Sequence, residues 1–167
     1  EVDPYKDEDE KGRIVMRLIH GKPIKDAVRM DMNYSYIMQG TRDEKFTGEN
    51  HCKAVISAGY EETITKLSEM FTKYKVKFTV IRKDMAKVHE LIEEWENYDG
   101  IWVLILFSYD TCAGLNLQKK STHVIFTHRI GDPNVASQLI GRCQRPGRTG
   151  QNLQVYEVLF ENEKNTV

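Results

Sequence analysis

The sequence predicts an α/β protein: a mostly parallel sheet with helices on both faces. Three observations point there. Strand-like and helix-like patterns alternate from Cys52 onward, the rhythm of β-α-β units rather than of hairpins. Residues 101–107 (IWVLILF) are apolar at every position, as a strand covered on both faces must be. The chain has 167 residues, 40% apolar and 29% charged, ordinary values for one globular domain with a sizeable core.

The elements follow in order. Residues 1–11 hold six acids and two lysines, and this opening is expected to be a disordered, solvated tail or linker. Residues 14–19 suit a short element, and residues 25–32 a short helix. Residues 53–57 (KAVIS) read as a strand that stops at Gly59. Residues 61–74 place Ile64, Leu67, Phe71 and Tyr74 on one helical face. Residues 76–81 (VKFTVI) are a second strand. Asp84 is expected to cap a helix running to about Asn97, with Met85, Val88, Leu91, Ile92 and Trp95 on its apolar stripe. After the apolar run at 101–107, residues 122–127 (THVIFT) form another short strand. Asp132 and Pro133 are a good cap and first-turn pair for a helix carrying Val135, Leu139, Ile140 and Cys143. Residues 153–159 (LQVYEVL) close the series. The expected division is therefore an acidic N-terminal segment, linker or added element at 1–48, and an α/β domain at 49–167.

Net charge is −1, so overall charge singles out no polyanionic partner. Its distribution is uneven, because the acidic opening leaves the remainder net positive. Cys52, Cys112 and Cys143 are odd in number and far apart, which suits a reduced, intracellular setting, cytoplasm or nucleus. No cysteine or histidine set has metal-ligand spacing. No apolar stretch is long enough for a membrane span, and no signal peptide opens the chain. Residue 1 is Glu rather than Met, and a fragment or processed product is expected.

In open parallel sheets ligands sit beyond the carboxyl ends of the strands, so the loops after Ser57, Phe107 and Thr127 are the places to look. One stretch stands out: SQLIGRCQRPGRTG, residues 137–150, with Arg142, Arg145 and Arg148 at three-residue intervals where an apolar helix gives way to a Pro/Gly turn. Two readings are open. Cations near a helix C-terminus are favourable by themselves; alternatively, the corner is built to meet phosphate.

QLIGRCQRPGR resembles motif VI of superfamily 2 helicases and translocases, Q-x-x-G-R-x-x-R. Residues 104–117 (LILFSYDTCAGLNL) resemble the family's motif V, an apolar strand ending in Ser/Thr with Gly-Leu-Asp/Asn shortly after. Residues 53–74, entered through AGYEET, are similar to its motif IV region. The three stand in the family's order and together cover roughly residues 50–160. The resemblance implies the second, C-terminal RecA-like lobe of a two-lobed motor, with ATP and Mg²⁺ held mainly by an N-terminal RecA-like lobe. It implies arginine fingers at Arg142 and Arg145, with Gln138, Gly114 and Asn116 on the nucleotide side; Arg148 lies one step beyond the motif and either joins the nucleotide side or is a solvated side chain. It also implies Ser108 on the nucleic-acid side; Gly59 and Tyr60 either contact the nucleic-acid backbone, the favoured reading, or simply end the strand. An arginine reaching across to the γ-phosphate stabilises charge spreading over the transferred phosphoryl, and guanidinium suits this because it stays charged and offers a planar fork of donors.

GLNL with Asn is similar to double-stranded DNA translocases of the chromatin-remodelling type, whereas RNA helicases usually carry Asp there; DNA is favoured over RNA. The Ala-Gly-Gly those translocases place before it is missing, and DTCAGLNL is one residue shorter. The family's G-x-x-x-x-G-K-[ST] loop is absent from these 167 residues. HGKPIK lacks its second glycine, and RDEKF has no apolar strand to deliver an acidic pair, so the chain alone is expected to be inactive. The alternative reading is a non-catalytic nucleic-acid-binding or regulatory module that completes a partner ATPase in trans. An unrelated α/β enzyme lacks any nucleophile–base or acid pair in the sequence. Trp95 and Trp102 read as core, and the histidines as core or surface.

Overall fold

The computed structural model describes residues 4–21, 28–29, 51–107, 114–130, 132–146 and 153–159. Its elements run α1 (Glu10–Ile19), β1 (Val28–Arg29), β2 (Cys52–Ser57), α2 (Glu61–Lys73), β3 (Lys77–Ile81), α3 (Val88–Asn97), β4 (Ile101–Leu106), β5 (His123–Phe126), α4 (Pro133–Cys143) and β6 (Gln154–Glu157). The strands form one sheet in the order β1-β6-β5-β2-β4-β3. From β6 to β3 every pairing is parallel. At the far edge Val28 and Arg29 pair antiparallel with Glu157 and Tyr156. The α/β class read from the alternation is the class observed.

Strand side chains point alternately to the two faces, and the core divides accordingly. Trp102, Leu104 and Leu106 of β4 pack with Ile92 and Trp95 of α3 and with Ala136, Leu139, Ile140 and Cys143 of α4. Val103 and Ile105 pack on the other face with Ile14, Val15, Leu18 and Ile19 of α1 and with Ile64, Leu67 and Phe71 of α2. Because both faces are covered, β4 needs apolar residues throughout, which explains the unbroken run in the sequence. Each fully buried Leu, Ile or Phe contributes about 1.5–3 kcal/mol.

Three sequence expectations are corrected. The acidic opening is ordered where described: residues 4–8 form a turn and bend, and Asp9 caps α1 by accepting from the Gly12 N–H at 2.8 Å. The helix is held because its apolar stripe completes the second core layer. Val28–Arg29, within the expected helix at 25–32, is strand instead, since the β6 edge offers it a ladder; the rest of that stretch lies outside the described residues. Asp84 does not cap α3. It sits left-handed at φ 62°, as does Lys87 at φ 57°, and Lys87 is the residue that precedes the helix. Two non-glycine residues in that region interrupt the helical path, so α3 starts a turn later, while Met85 and Val88 still pack on the core.

Candidate functional site

The C-terminal corner of α4 is positioned from its beginning. Asp132 accepts from the Asn134 N–H at 2.9 Å and Pro133 opens the helix, as a cap and first-turn proline should. Ala136, Leu139, Ile140 and Cys143 are buried, which turns Gln138 outward, leaves Arg142 half-buried and brings Arg145 to the exposed segment past the helix end. The Gln144 N–H closes the last turn on the Ile140 carbonyl at 2.7 Å. Among the described residues neither Arg142 nor Arg145 has an ion-pair or hydrogen-bonding side-chain partner.

Residues 114–117 (GLNL) lie against this corner. Leu115 and Leu117 are buried in the same cluster as Leu139, Ile140 and Cys143, and the Leu117 N–H donates to the Arg142 carbonyl at 3.0 Å. Alternation then leaves Gly114 and Asn116 exposed. Gly114 has φ +82° with nothing within 4 Å of a built Cβ, so glycine is required there by backbone conformation rather than by crowding. Asn116 lines a cleft of about 330 Å³ with His89, Glu93, Glu96, Lys119 and Lys120. Desolvation raises the Glu96 carboxyl, partly offset by Lys119. Ser108 and Arg148 lie outside the described residues.

A second cluster forms where β2, β4 and β5 end. The N–H groups of Ala58 and Gly59 donate to the carbonyls of Leu106 and Phe107 at 2.9 and 2.7 Å. Gly59 turns at φ +78°, and Tyr60 follows, 59% exposed, immediately before α2. The Thr127 hydroxyl donates to the carbonyls of Ser57 and Ala58. The Tyr60 and His128 rings meet edge to face with centroids 4.7 Å apart. The sequence pointed to the loop after Thr127 but not to the side chains of Thr127 and His128 themselves. The signal available was only their place at the end of a strand, because their approach to Tyr60 is set by β2–β5 pairing.

The buried polar groups do structural work. Thr122 Oγ1 accepts from the Lys53 N–H at 2.9 Å and lies 2.8 Å from His123 Nδ1, with Cys52 Sγ 3.4 Å from that nitrogen. Burial pushes the Cys52 thiol up to about 12 and the His123 imidazole down to about 3. A thiol held protonated is a poor nucleophile, and a neutral buried histidine here packs against Tyr156. Among the described residues no group of three His, Cys, Asp or Glu side chains is placed to hold a metal ion, and no helix is long and apolar enough to cross a membrane.

Comparison with known proteins gives three findings. No family model matches the chain. R592 of Acanthamoeba polyphaga mimivirus, a protein whose name calls it a helicase, is 35% identical over 112 residues, which is 66% of this chain and 13% of that protein. The chain thus spans a small part of its relative's length. Among solved structures, the C-terminal part of the Fun30 ATPase domain superposes with a TM-score of 0.59 at 18% identity, covering 67% of this chain and 36% of that one. The C-terminal domain of the DEAD-box protein Dbp5 gives 0.53 at 14% identity, covering 95% and 74%.

Proposed function

Taking the chain as a C-terminal RecA-like helicase lobe, the domain that its fold and its relative point to, we propose that it is the second lobe of an ATP-dependent nucleic-acid helicase or translocase. In this reading residues 49–167 are the lobe proper and α1, within residues 1–48, is an element added to one face. Arg142 and Arg145 supply guanidinium groups to an ATP whose Mg²⁺ and phosphate cradle belong to an N-terminal lobe. Bound there, ATP supplies the phosphoryl group that is transferred to water. The work of this chain is to hold fixed positive charge at the γ-phosphate, with Gln138, Gly114 and Asn116 on the nucleotide side and Arg148 assigned there from the sequence alone.

One observation carries the reading: the hydrogen bond from the Leu117 N–H to the Arg142 carbonyl. It joins the GLNL segment to the helix end that bears the arginines, so two motif-bearing stretches distant in sequence behave as one unit. The donor chemistry fits a phosphate, since both guanidinium groups lack a partner among the described residues and guanidinium binds phosphate oxygens in pairs. Arg145 lies just past the C-cap Gln144 of α4, where a cation is also favourable to the helix dipole; the dipole leaves the guanidinium donors free for a phosphate.

Gly59 and Tyr60, just past the carboxyl end of β2, face the nucleic acid in this reading, and Ser108 is assigned the same role on its motif match alone. Gly59 lets the main chain approach a phosphate closely. DNA is the preferred substrate on the Asn116 match. The chain alone has arginines but no phosphate-cradling loop, so a phosphate-release assay on these 167 residues should show no turnover stimulated by nucleic acid. Stimulated turnover from this chain would overturn the divided-site reading.

A further inference from the structure

The amino ends of the strands carry a basic and aromatic cluster with no role in the reading above. Tyr60 and Tyr98 are the large exposed aromatics among the described residues, and Tyr98 is 37% exposed. Tyr60 follows the end of β2 while Tyr98 precedes the start of β4, so they stand at opposite ends of the parallel sheet. Tyr98 meets Trp102 edge to face with centroids 5.4 Å apart. Lys77 Nζ sits over both rings, 4.6 Å from the Tyr98 centroid and 4.1 Å from that of Trp102.

Lys53 is wholly buried, and its Nζ donates to the Gly100 carbonyl at 2.7 Å and lies 5.5 Å from the Tyr98 centroid. An ammonium has three donors, and among the described residues this one has a single acceptor. Desolvation accordingly lowers the Lys53 pKa. Against this wall lies a cleft of about 380 Å³ lined by His20, Tyr74, Lys75, Lys77, Tyr98 and Asp99, with Gly100 between. Lys75 and Lys77 are exposed and have no ion-pair partner among the described residues; Asp99 is the sole acid in the lining. The volume falls at the small end of ligand sites, roughly 300–1,000 Å³.

We propose that this cleft binds one nucleotide unit, its phosphate on Lys75 and Lys77 and its base against the Tyr98 ring. Stacking on an exposed aromatic beside mobile cations is how proteins hold bases without reading their sequence. The unit belongs either to a single strand or to a free nucleotide, which present the same chemistry. The inference is independent of the α4 arginines and of the Tyr60 end.

The Trp102 indole resonance reports the cleft, because Tyr98 and Lys77 adjoin that ring. The test titrates the 167-residue chain with a short oligothymidylate, thymidine monophosphate and inorganic phosphate. Lys77→Gln and Tyr98→Leu should each weaken nucleotide binding about tenfold while circular dichroism shows an unchanged fold. Tyr98→Phe should retain binding, and Tyr60→Ala should leave the Trp102 response intact. Tighter binding of the oligonucleotide identifies a strand as the source; equal affinity for the monophosphate identifies a free nucleotide. Wild-type affinity in folded Lys77→Gln, or inorganic phosphate reproducing the whole response, would overturn the proposal. Loss of the Trp102 response in Tyr60→Ala would overturn it too, while leaving the proposed function standing.

Discussion

The two faces of the sheet handle positive charge differently. On the α1/α2 face, Lys73 pairs with Glu8 at 3.0 Å and Lys66 with Glu62 at 3.6 Å, and Arg82 makes a two-point pair with Glu61 at the start of α2. On the α3/α4 face, the arginines at the end of α4 have no such partner among the described residues, although buried neighbours fix the helix that carries them. Exposed ion pairs contribute little to stability, so the difference is not one of strength. It lies in availability. A cation matched within the fold is not presented to a ligand, whereas under the proposed function one at the well-anchored end of α4 is.

If the faces are separate in this sense, disturbing one should spare the other. Phe71→Ala removes a fully buried ring that packs near Phe78 on the α1/α2 face. It should cost about 3–5 kcal/mol in urea unfolding without moving the Leu117 amide resonance. A displaced Leu117 signal would show the two faces to be coupled and break the comparison.

The next effect is one of pH. His123 is held neutral, its pKa pushed by burial from 6.5 to about 3. As pH falls, the unfolded chain takes up that proton first. The contribution is therefore full above about pH 6.5 and is lost as pH falls towards 3, by about 1.4 kcal/mol per pH unit. His123→Gln should flatten this acid limb in urea midpoints measured against pH; a limb as steep as the wild type's would contradict the assignment. Smaller again, Asp132→Ala removes the α4 cap and should cost about 1 kcal/mol. Here the Leu117 resonance should shift, because the helix that carries its acceptor is loosened. An unmoved signal would mean that the corner is held without help from α4's first turn.

Much of this fold was legible because burial leaves a pattern. Residues 101–107 had to be apolar throughout, and Asp132-Pro133 announced a helix by local chemistry alone. Local pattern failed where distant contacts decided. The acidic opening reads as tail, yet Gly12 lies against Met70 of α2, where a Cβ would come within 3.0 Å of the sulfur, and α1 folds because that surface waits for it. Asp tolerates the left-handed region better than most residues, but nothing in Lys87 forecasts it. Of the candidate site, Arg142, Arg145, Gly114 and Asn116 could be picked out from motif spacing. The bond from Leu117 to Arg142 and the meeting of Tyr60 with His128 could not, since each joins residues that only the folded sheet brings together.

The most direct test of the central claim compares two arginines in the intact protein. Arg145→Ala should reduce ATP turnover by about 10³-fold or more and leave nucleic-acid binding nearly unchanged. Arg82→Ala, which breaks an exposed pair on the other face, should change neither. Equal losses of turnover and nucleic-acid binding in Arg145→Ala, or turnover no lower than in Arg82→Ala, would contradict the assignment of the α4 corner to the phosphate of ATP.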